Sequence, residues 1–401
     1  MTSRAQLNIL IIDSVVNGFS KYPLWILLSL YLNGRGYNFI DIGIILVFSN
    51  ILPSPFQRKS GKMIDIFGRR RFTYILPFLL FIVYIMLYFS VLFNSNIILI
   101  FVLLTFTSYL GSFESTLKNT IITDLSIEME RSKYFSIMRI WANVGIGIGL
   151  ICSGIASIVS YSLFFLAPII GSLFQSIMFL IFFKESGNGG NFANDVRPGI
   201  KLGSKYKQII TVSLLISICF AISNQYETPA MPLYLSTQWL FSPLDITILY
   251  SINTAVVVFF QAKITAIAAR FTEYKIFSFG ILFYSFSFFI FSITGNLLLV
   301  ASAIVILTVG ENMMSPVSSS IISKIAPEDQ RGEYFGINSL IYAIISPISI
   351  FLGIGLLQIF GFHETYAMDV LSLLSVITFI SAYVYFGRII NSNGHQDKSI
   401  P

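Results

Sequence analysis

The sequence predicts an all-α polytopic membrane protein, on the evidence of its composition and its long apolar runs. Of its 401 residues, 55% are hydrophobic and only 11% are charged, and the mean hydropathy is +0.80. In a soluble domain about a quarter of the residues are charged. Runs such as Ile97–Leu104 and Phe277–Ile293 are continuous, unlike the alternating segments of about ten residues in a membrane β-barrel. Most side chains must therefore face lipid or one another, on helical spans.

A chain of this length has room for about twelve spans, since each needs roughly 20 apolar residues. We predict helices at Leu7–Leu32, Phe39–Phe56, Phe72–Phe93, Ile97–Lys118, Phe135–Ser160, Leu163–Phe183, Gln208–Leu235, Leu244–Ala268, Ile276–Ile293, Leu297–Ile322, Tyr334–Phe360 and Tyr366–Phe386. The polar stretch Lys184–Lys207 separates six helices from six. The predicted organisation is a bundle over residues 1–183, a linker over 184–207, a second bundle over 208–390 and a tail over 391–401.

The basic residues predict how the chain is oriented. Loops on one side hold nearly all of them: Arg58, Lys59, Lys62, Arg69, Arg70, Arg71, Arg131, Lys133, Lys184, Arg197, Lys201, Lys205, Lys207, Arg270, Lys275, Lys324 and Arg331. The opposite loops are short and carry essentially only Arg35. By the positive-inside rule, both termini and the linker are expected in the cytoplasm. This asymmetry accounts for the net charge of +6 without a nucleic-acid partner.

The two halves share a repeated pattern. Arg, Tyr, Phe and Ile recur in register at the entry to the fifth helix of each half, in Arg131-Ser132-Lys133-Tyr134-Phe135-Ser136-Ile137 and Arg331-Gly332-Glu333-Tyr334-Phe335-Gly336-Ile337. Recurrence at the equivalent place predicts two pseudo-symmetric six-helix bundles.

The loop after the second helix carries the most specific motif, Gly61-Lys62-Met63-Ile64-Asp65-Ile66-Phe67-Gly68-Arg69-Arg70. It resembles the Gly-x-x-x-Asp-x-x-Gly-Arg-Arg loop of major facilitator superfamily transporters, and Ala326–Gly332 resembles that family's loop before its eleventh helix. The resemblance implies that the two bundles rock around a central site and so carry a small solute across the membrane by alternating access. It also implies a conformational latch, formed by Gly61, Asp65, Gly68, Arg69, Arg70 and Arg331. The alternative is a tight turn with charges that only set the orientation.

Two other patterns bear on the direction of transport. The stretch from Gly145 to Gly154 is similar to the fifth-helix pattern of the family's drug/proton antiporters, but Leu150 replaces its proline and Ser153 one of its glycines. Thr107 stands where many antiporters have an arginine. Both departures weaken the antiporter interpretation, and close packing between helices is a sufficient role for the small residues.

Charged residues within the spans are costly and usually functional. In the first helix Asp13, Asn17 and Lys21 recur every four residues, so they share one face. We expect this face to line a water-filled cavity, with salt bridges to neighbouring helices as the structural alternative. Lys21 and Glu227 each precede a proline by two residues, and prolines at matching places in two halves point to a binding site. We therefore predict that these two side chains face each other, although an alignment through Pro232 is also open.

Further acids lie in the fourth and tenth helices. Glu311, beside Asn312, is the better candidate for a proton carrier, because a buried carboxylate is more readily protonated. Glu114 is expected to pair with Lys118, four residues away. The predicted substrate and proton pathway is Asp13, Asn17, Lys21, Glu227, Glu311 and Asn312.

Other functional classes fit the sequence less well. A membrane enzyme would need a nucleophile–base set or metal ligands, but the chain has two histidines near its loops and two cysteines far apart. No nucleotide-binding glycine-rich loop is present. We expect a secondary transporter in the plasma membrane, coupled to protons, with export slightly favoured over uptake. Uniport and a non-transporting sensor or scaffold remain the alternatives. A small solute, protons and lipid are the expected partners of a monomer with no cofactor or metal.

Overall fold

The computed structural model describes residues 3–53, 56, 60, 63–64, 66–93, 96–125, 128–184, 204–268, 270–325, 331–361 and 365–396. Within these ranges the regular structure is helical, and no residue there is in a strand. The α-helices are α1 (Ser3–Gly34), α2 (Phe39–Ile51), α3 (Arg69–Leu92), α4 (Ile97–Leu125), α5 (Glu128–Val159), α6 (Leu166–Phe182), α7 (Ser204–Ser223), α8 (Ala230–Gln238), α9 (Pro243–Ala268), α10 (Glu273–Ile293), α11 (Leu297–Ile325), α12 (Arg331–Phe360) and α13 (Tyr366–Gln396). Short 3₁₀ helices cover Tyr161–Phe165 and Asn224–Glu227.

The predicted all-α polytopic fold is confirmed. Among the described residues, ten helical segments are long and apolar enough to cross a membrane, and α2 is a shorter apolar helix. The 32-residue α1 is not among the ten. Its length suffices for a span, but its stripe of polar residues lowers its hydropathy.

The seventh predicted helix is interrupted. After α7, the chain passes through the 3₁₀ turn and an extended Thr228 (φ −83°, ψ 159°) before α8 begins. The break has a local cause, because Pro229 disfavours the α conformation at the preceding residue. Pro23, the first-half proline that the sequence pairs with Pro229, lies inside an unbroken α1. The two prolines therefore have different local consequences.

Several helix ends differ from the predicted ones. Helix α4 continues to Leu125 rather than Lys118, and α5 begins at Glu128 rather than Phe135. Polar residues outside an apolar window can continue a helix, and hydropathy does not mark its end. Helix α2 stops at Ile51, before Pro53, rather than at Phe56.

Contacts between residues divide the chain into two compact units. The first unit holds Met1–Val196 with Phe241–Val258, and the second holds Arg197–Leu240 with Phe259–Pro401. In the first, α1 packs on α5 and α6, and α3 packs on α4 and α6. In the second, α10 packs on α11 and α13, and α7 packs on α12. The predicted bundle boundaries stay a prediction.

Glycines allow α1 and α5 to approach closely. A β-carbon built at Gly145 would meet the carbonyl oxygen of Val15, and one at Gly149 would meet that of Phe19. On the facing helix, a β-carbon at Gly18 would meet the carbonyl oxygen of Ala142. The small residues of the fifth-helix pattern therefore place two backbones in contact, as expected for close membrane packing.

Candidate functional site

Four charged side chains of the first unit meet in what we term the charge cluster: Asp13, Lys21, Glu114 and Lys118. Lys118 Nζ lies 2.5 Å from Asp13 Oδ2 and 2.7 Å from Glu114 Oε1. Lys21 Nζ lies 2.6 Å from Glu114 Oε2. The charges alternate in sign in the order Asp13, Lys118, Glu114, Lys21, so the charge cluster has no net charge when all four groups are ionised.

The two helices each supply one acid and one base. Asp13 and Lys21 are eight residues apart on α1, and Glu114 and Lys118 are four apart on α4. Both spacings keep the two side chains on one face of their helix, since a helix turns once in 3.6 residues. The cluster is therefore the contact of two polar faces.

The cluster is shielded from solvent. The side-chain exposures are 1% for Asp13, 4% for Glu114, 12% for Lys21 and 15% for Lys118. Burying an unpaired charge costs several kcal/mol, and a charge within a membrane span is similarly costly. Each ion here has at least one partner of opposite sign, which offsets that cost.

Gln175 of α6 adds a neutral partner to the cluster. Its Nε2 donates to Asp13 Oδ1 at 2.8 Å, and the glutamine is fully buried. Its Oε1 has no hydrogen-bond partner among the described residues. The side-chain amide of Gln175 therefore donates a hydrogen bond to Asp13 through its nitrogen, and its oxygen is an acceptor on the same amide.

The structure answers part of the sequence prediction for this site. The predicted pairing of Glu114 with Lys118 is confirmed. Asp13 and Lys21 make the salt bridges to neighbouring helices that the structural alternative described, and half-buried Asn17 lies between them on α1. That this face lines a cavity stays a prediction. The contact of Asp13 with Lys118 was missed, although equal numbers of acids and bases in the first-half spans were a signal for it.

The predicted second-half residues lie in the second unit. Glu227 is exposed at the end of its 3₁₀ helix, and Glu311 is half-buried on α11. Asn312 is fully buried, and neither atom of its amide has a hydrogen-bond partner among the described residues. The pairing of Lys21 with Glu227 stays a prediction; the structure pairs Lys21 with Glu114.

The predicted latch is described in part. Gly68 precedes α3 with φ +82°, a conformation that glycine adopts without strain. Arg69 is buried, and its Nε donates to Asp124 Oδ2 of α4 at 2.9 Å, while Arg70 is exposed. Gly61 and Asp65 lie outside the described residues, as does the side chain of Arg331, the first residue of α12.

An equivalent ion pair occurs in the second unit with its charges exchanged. Glu273, the first residue of α10, lies with Oε1 2.5 Å from Nζ of Lys324, next to the last residue of α11. Arg69 and Asp124 occupy the same positions on α3 and α4. The second unit thus has an ion pair at the same helix ends with the polarity reversed.

The described residues contain no group of three His, Cys, Asp or Glu side chains placed to hold a metal ion. Cys152 is exposed and Cys219 is buried.

The long apolar helices define a polytopic membrane protein, and two helices of its first unit hold a buried set of four paired charges. The chain belongs to the Major Facilitator Superfamily, whose model matches residues 10–222 and 213–398. It is therefore a multi-pass membrane transporter of that family.

Solved transporters share the fold. A POT family transporter in complex with 5-aminolevulinic acid has a TM-score of 0.79 at 17% identity, with 97% of this chain and 100% of that chain covered. A D-xylose-proton symporter has a TM-score of 0.73 at 13% identity, with 96% and 98% covered. The nucleoside transporter NupG has a TM-score of 0.77 at 14% identity, with 96% and 99% covered.

One curated relative is similar in sequence over a shorter region. A Na(+), Li(+), K(+)/H(+) antiporter of Planococcus maritimus is 33% identical over 141 residues, which are 34% of this chain. The match spans about a third of the relative's length, 31%.

Proposed function

We propose that this chain is a secondary active transporter that exports a small solute in exchange for protons by alternating access. In this proposal it lies in the plasma membrane, with both termini in the cytoplasm. The observation that carries the proposal is the charge cluster, in which a buried acid, Asp13, has one ammonium partner and one neutral amide partner. The curated relative, a cation/H(+) antiporter by name, supports exchange over the other modes.

Asp13 is the proton-accepting group in this proposal, in place of Glu311, which the sequence favoured. Asp13 is a fully buried acid within the charge cluster, whereas Glu311 is half-buried on α11. A proton on Asp13 removes one ion pair, the one with Lys118, whereas a proton on Glu114 would remove two, with Lys21 and Lys118. Opposite charges nearby favour the ionised form of a carboxylate. Protonation of Asp13 therefore costs less, and Glu114 stays ionised as the shared counter-ion of both lysines.

Gln175 supports either protonation state of Asp13. Its Nε2 donates to the carboxylate, and its Oε1, which has no hydrogen-bond partner among the described residues, is available to accept from a carboxylic acid after the amide rotates. A buried polar group left without a partner costs about 1–3 kcal/mol. The glutamine thus reduces the cost of switching Asp13 between its two forms.

Protonation links the cluster to the transport cycle through its net charge. With Asp13 neutral, Lys21 and Lys118 share a single carboxylate, and the cluster carries one excess positive charge. Such a charge is costly while it stays dry. The protonated form therefore favours a state of the transporter that admits water to the cluster, and loss of the proton favours the closed, neutral arrangement.

The named cargo of the curated relative supplies the first solutes to test. Small monovalent cations prefer oxygen ligands, and a carboxylate that binds either a cation or a proton is the simplest basis for exchanging one for the other. Purified protein in proteoliposomes would be given an outward or inward pH gradient, and movement of Na⁺, Li⁺, K⁺ and a panel of organic solutes would be measured. Faster solute movement against the proton flow supports exchange. Equal rates with and without the gradient, for every solute that moves, would contradict proton coupling.

A further inference from the structure

We propose that a cavity between α3 and α6, lined by Phe67, Arg70, Arg71, Tyr74 and Leu180, binds the phosphate headgroup of an anionic phospholipid. The cavity has a volume of about 480 Å³, and all its lining residues belong to the first unit. It is separate from the charge cluster, and the proposal does not depend on how transport is coupled to protons.

The cavity is formed by well-defined packing. Helices α3 and α6 pack along each other, and Ser176 Oγ of α6 donates to the carbonyl oxygen of Tyr74 at 2.9 Å. Gly68, with φ +82°, turns the chain between Phe67 and the arginines. The two arginines and the two aromatic residues therefore lie together at one end of the helix pair.

The position of the cavity matches the surface of a membrane. The candidate span of α3 begins at Arg69 and that of α6 ends at Phe182, so both spans reach one face of the bilayer at the cavity. Arg70 and Arg71 are exposed there, as is Leu180. Exposed Lys184 follows the end of α6 and adds positive charge at the same end.

The chemistry of the lining favours a lipid over a free anion. Arginine binds phosphate oxygens through paired N–H donors, and aromatic side chains are enriched at the level of lipid headgroups. From the cavity, exposed apolar residues continue along both helices toward the span interior, at Phe78, Ile82, Phe174 and Ile177. A free phosphate would use the arginines alone, whereas a phospholipid also covers this apolar path with its acyl chains.

Native mass spectrometry of the full-length protein with an equimolar mixture of phosphatidylglycerol and phosphatidylcholine of matched chains tests the proposal. We expect a preference for phosphatidylglycerol. The double variant Arg70→Gln/Arg71→Gln should lose that preference by about fivefold for each arginine, the size of one basic contact to an anionic membrane surface. The control Arg270→Gln/Arg388→Gln also removes two exposed arginines and should keep the preference for phosphatidylglycerol. The charge-conserving variant Arg70→Lys/Arg71→Lys should keep most of that preference.

The glutamine variants are expected to fold, because cations in the first turn of a helix are disfavoured by its dipole and their removal does not cost helix stability. If the double variant cannot be purified, the single Arg71→Gln gives the same comparison at half the charge. The proposal is overturned if the wild type does not prefer phosphatidylglycerol, or if the control loses the preference as much as Arg70→Gln/Arg71→Gln. It is overturned as well if sn-glycerol 3-phosphate or inorganic phosphate competes as well as the intact lipid.

Discussion

Arg69 begins α3 and Asp124 lies next to the end of α4, and the Nε of the arginine donates to Oδ2 of the aspartate at 2.9 Å. Each charge sits at the end of its helix that the helix dipole disfavours, since cations are favoured near C-termini and anions near N-termini. The pair Glu273 and Lys324 has the opposite polarity, with both charges at favoured ends. In the first unit the ion pair therefore offsets an unfavourable interaction of each charge with its helix dipole. In the second unit there is no such unfavourable interaction to offset.

Exchanging the charges of the first-unit pair should remove this conflict. The single variant Arg69→Glu places two acids together and should lower the melting temperature of the purified protein. Adding Asp124→Arg should recover most of that loss, because both charges then lie at favoured helix ends, each worth about 0.3–1 kcal/mol. Thermal unfolding in detergent, followed by tryptophan fluorescence, measures the recovery.

The mirrored exchange, Glu273→Lys/Lys324→Glu, is the matched control. It moves both charges to disfavoured ends and should lower the melting temperature relative to wild type. If the two double variants change the melting temperature relative to wild type by the same amount, the helix dipoles do not distinguish the two units.

Neutralising one member of the charge cluster should destabilise the protein more than neutralising two. Lys21→Gln leaves two carboxylates with one ammonium, and loss of one partner of a buried pair costs on the order of 3 kcal/mol. The double variant Lys21→Gln/Glu114→Gln leaves Asp13 with Lys118, a neutral pair. We expect its melting temperature to lie between those of Lys21→Gln and wild type. A double variant less stable than Lys21→Gln would argue that the contact of Lys21 with Glu114 does not stabilise the fold.

The close contact of α1 with α5 should not tolerate an added methyl group. A β-carbon at Gly145 or Gly149 meets a backbone oxygen of α1, so alanine at either position must separate the helices, at about 1–3 kcal/mol as in other overpacked sites. Gly111 of α4 is the control, because a β-carbon there meets nothing within 4 Å. Gly111→Ala should be neutral or stabilising, since alanine is the better helix former. The yield of folded protein on size exclusion and its melting temperature compare the variants, and similar losses at all three glycines would contradict the packing account.

Much of the fold was accessible from the sequence because membrane helices are long and nearly all their residues are apolar. Each predicted segment is helical over most of its described residues, and the four-residue spacing of Asp13, Asn17 and Lys21 predicted the polar face of α1. Spacing within one helix fixes a face without any knowledge of other helices. The seventh helix was predicted to run unbroken over Gln208–Leu235, but it is interrupted before Pro229. A proline alone does not decide this, since Pro23 lies inside an unbroken α1.

Contacts between helices were less accessible, because they depend on the register of one helix against another. Lys118 was assigned to Glu114, its neighbour on α4, but it also binds Asp13 of α1. Asp124 of α4 accepts a hydrogen bond from Arg69 of α3, a contact that spacing within one helix does not reveal. The motif loop indicated the family, whereas the charge cluster lies on α1 and α4, outside that loop.

Proton coupling through Asp13 is tested most directly by comparing two assays on one variant, Asp13→Asn, in proteoliposomes. Asparagine keeps the size of the side chain but cannot exchange a proton, so solute movement driven by a pH gradient should be lost. Solute exchange between equal pools, which needs no net proton movement, should persist, and Glu311→Gln should retain both activities. The assignment of the proton to Asp13 would be contradicted if Asp13→Asn kept gradient-driven transport at the wild-type rate. It would also be contradicted if only Glu311→Gln lost gradient-driven transport.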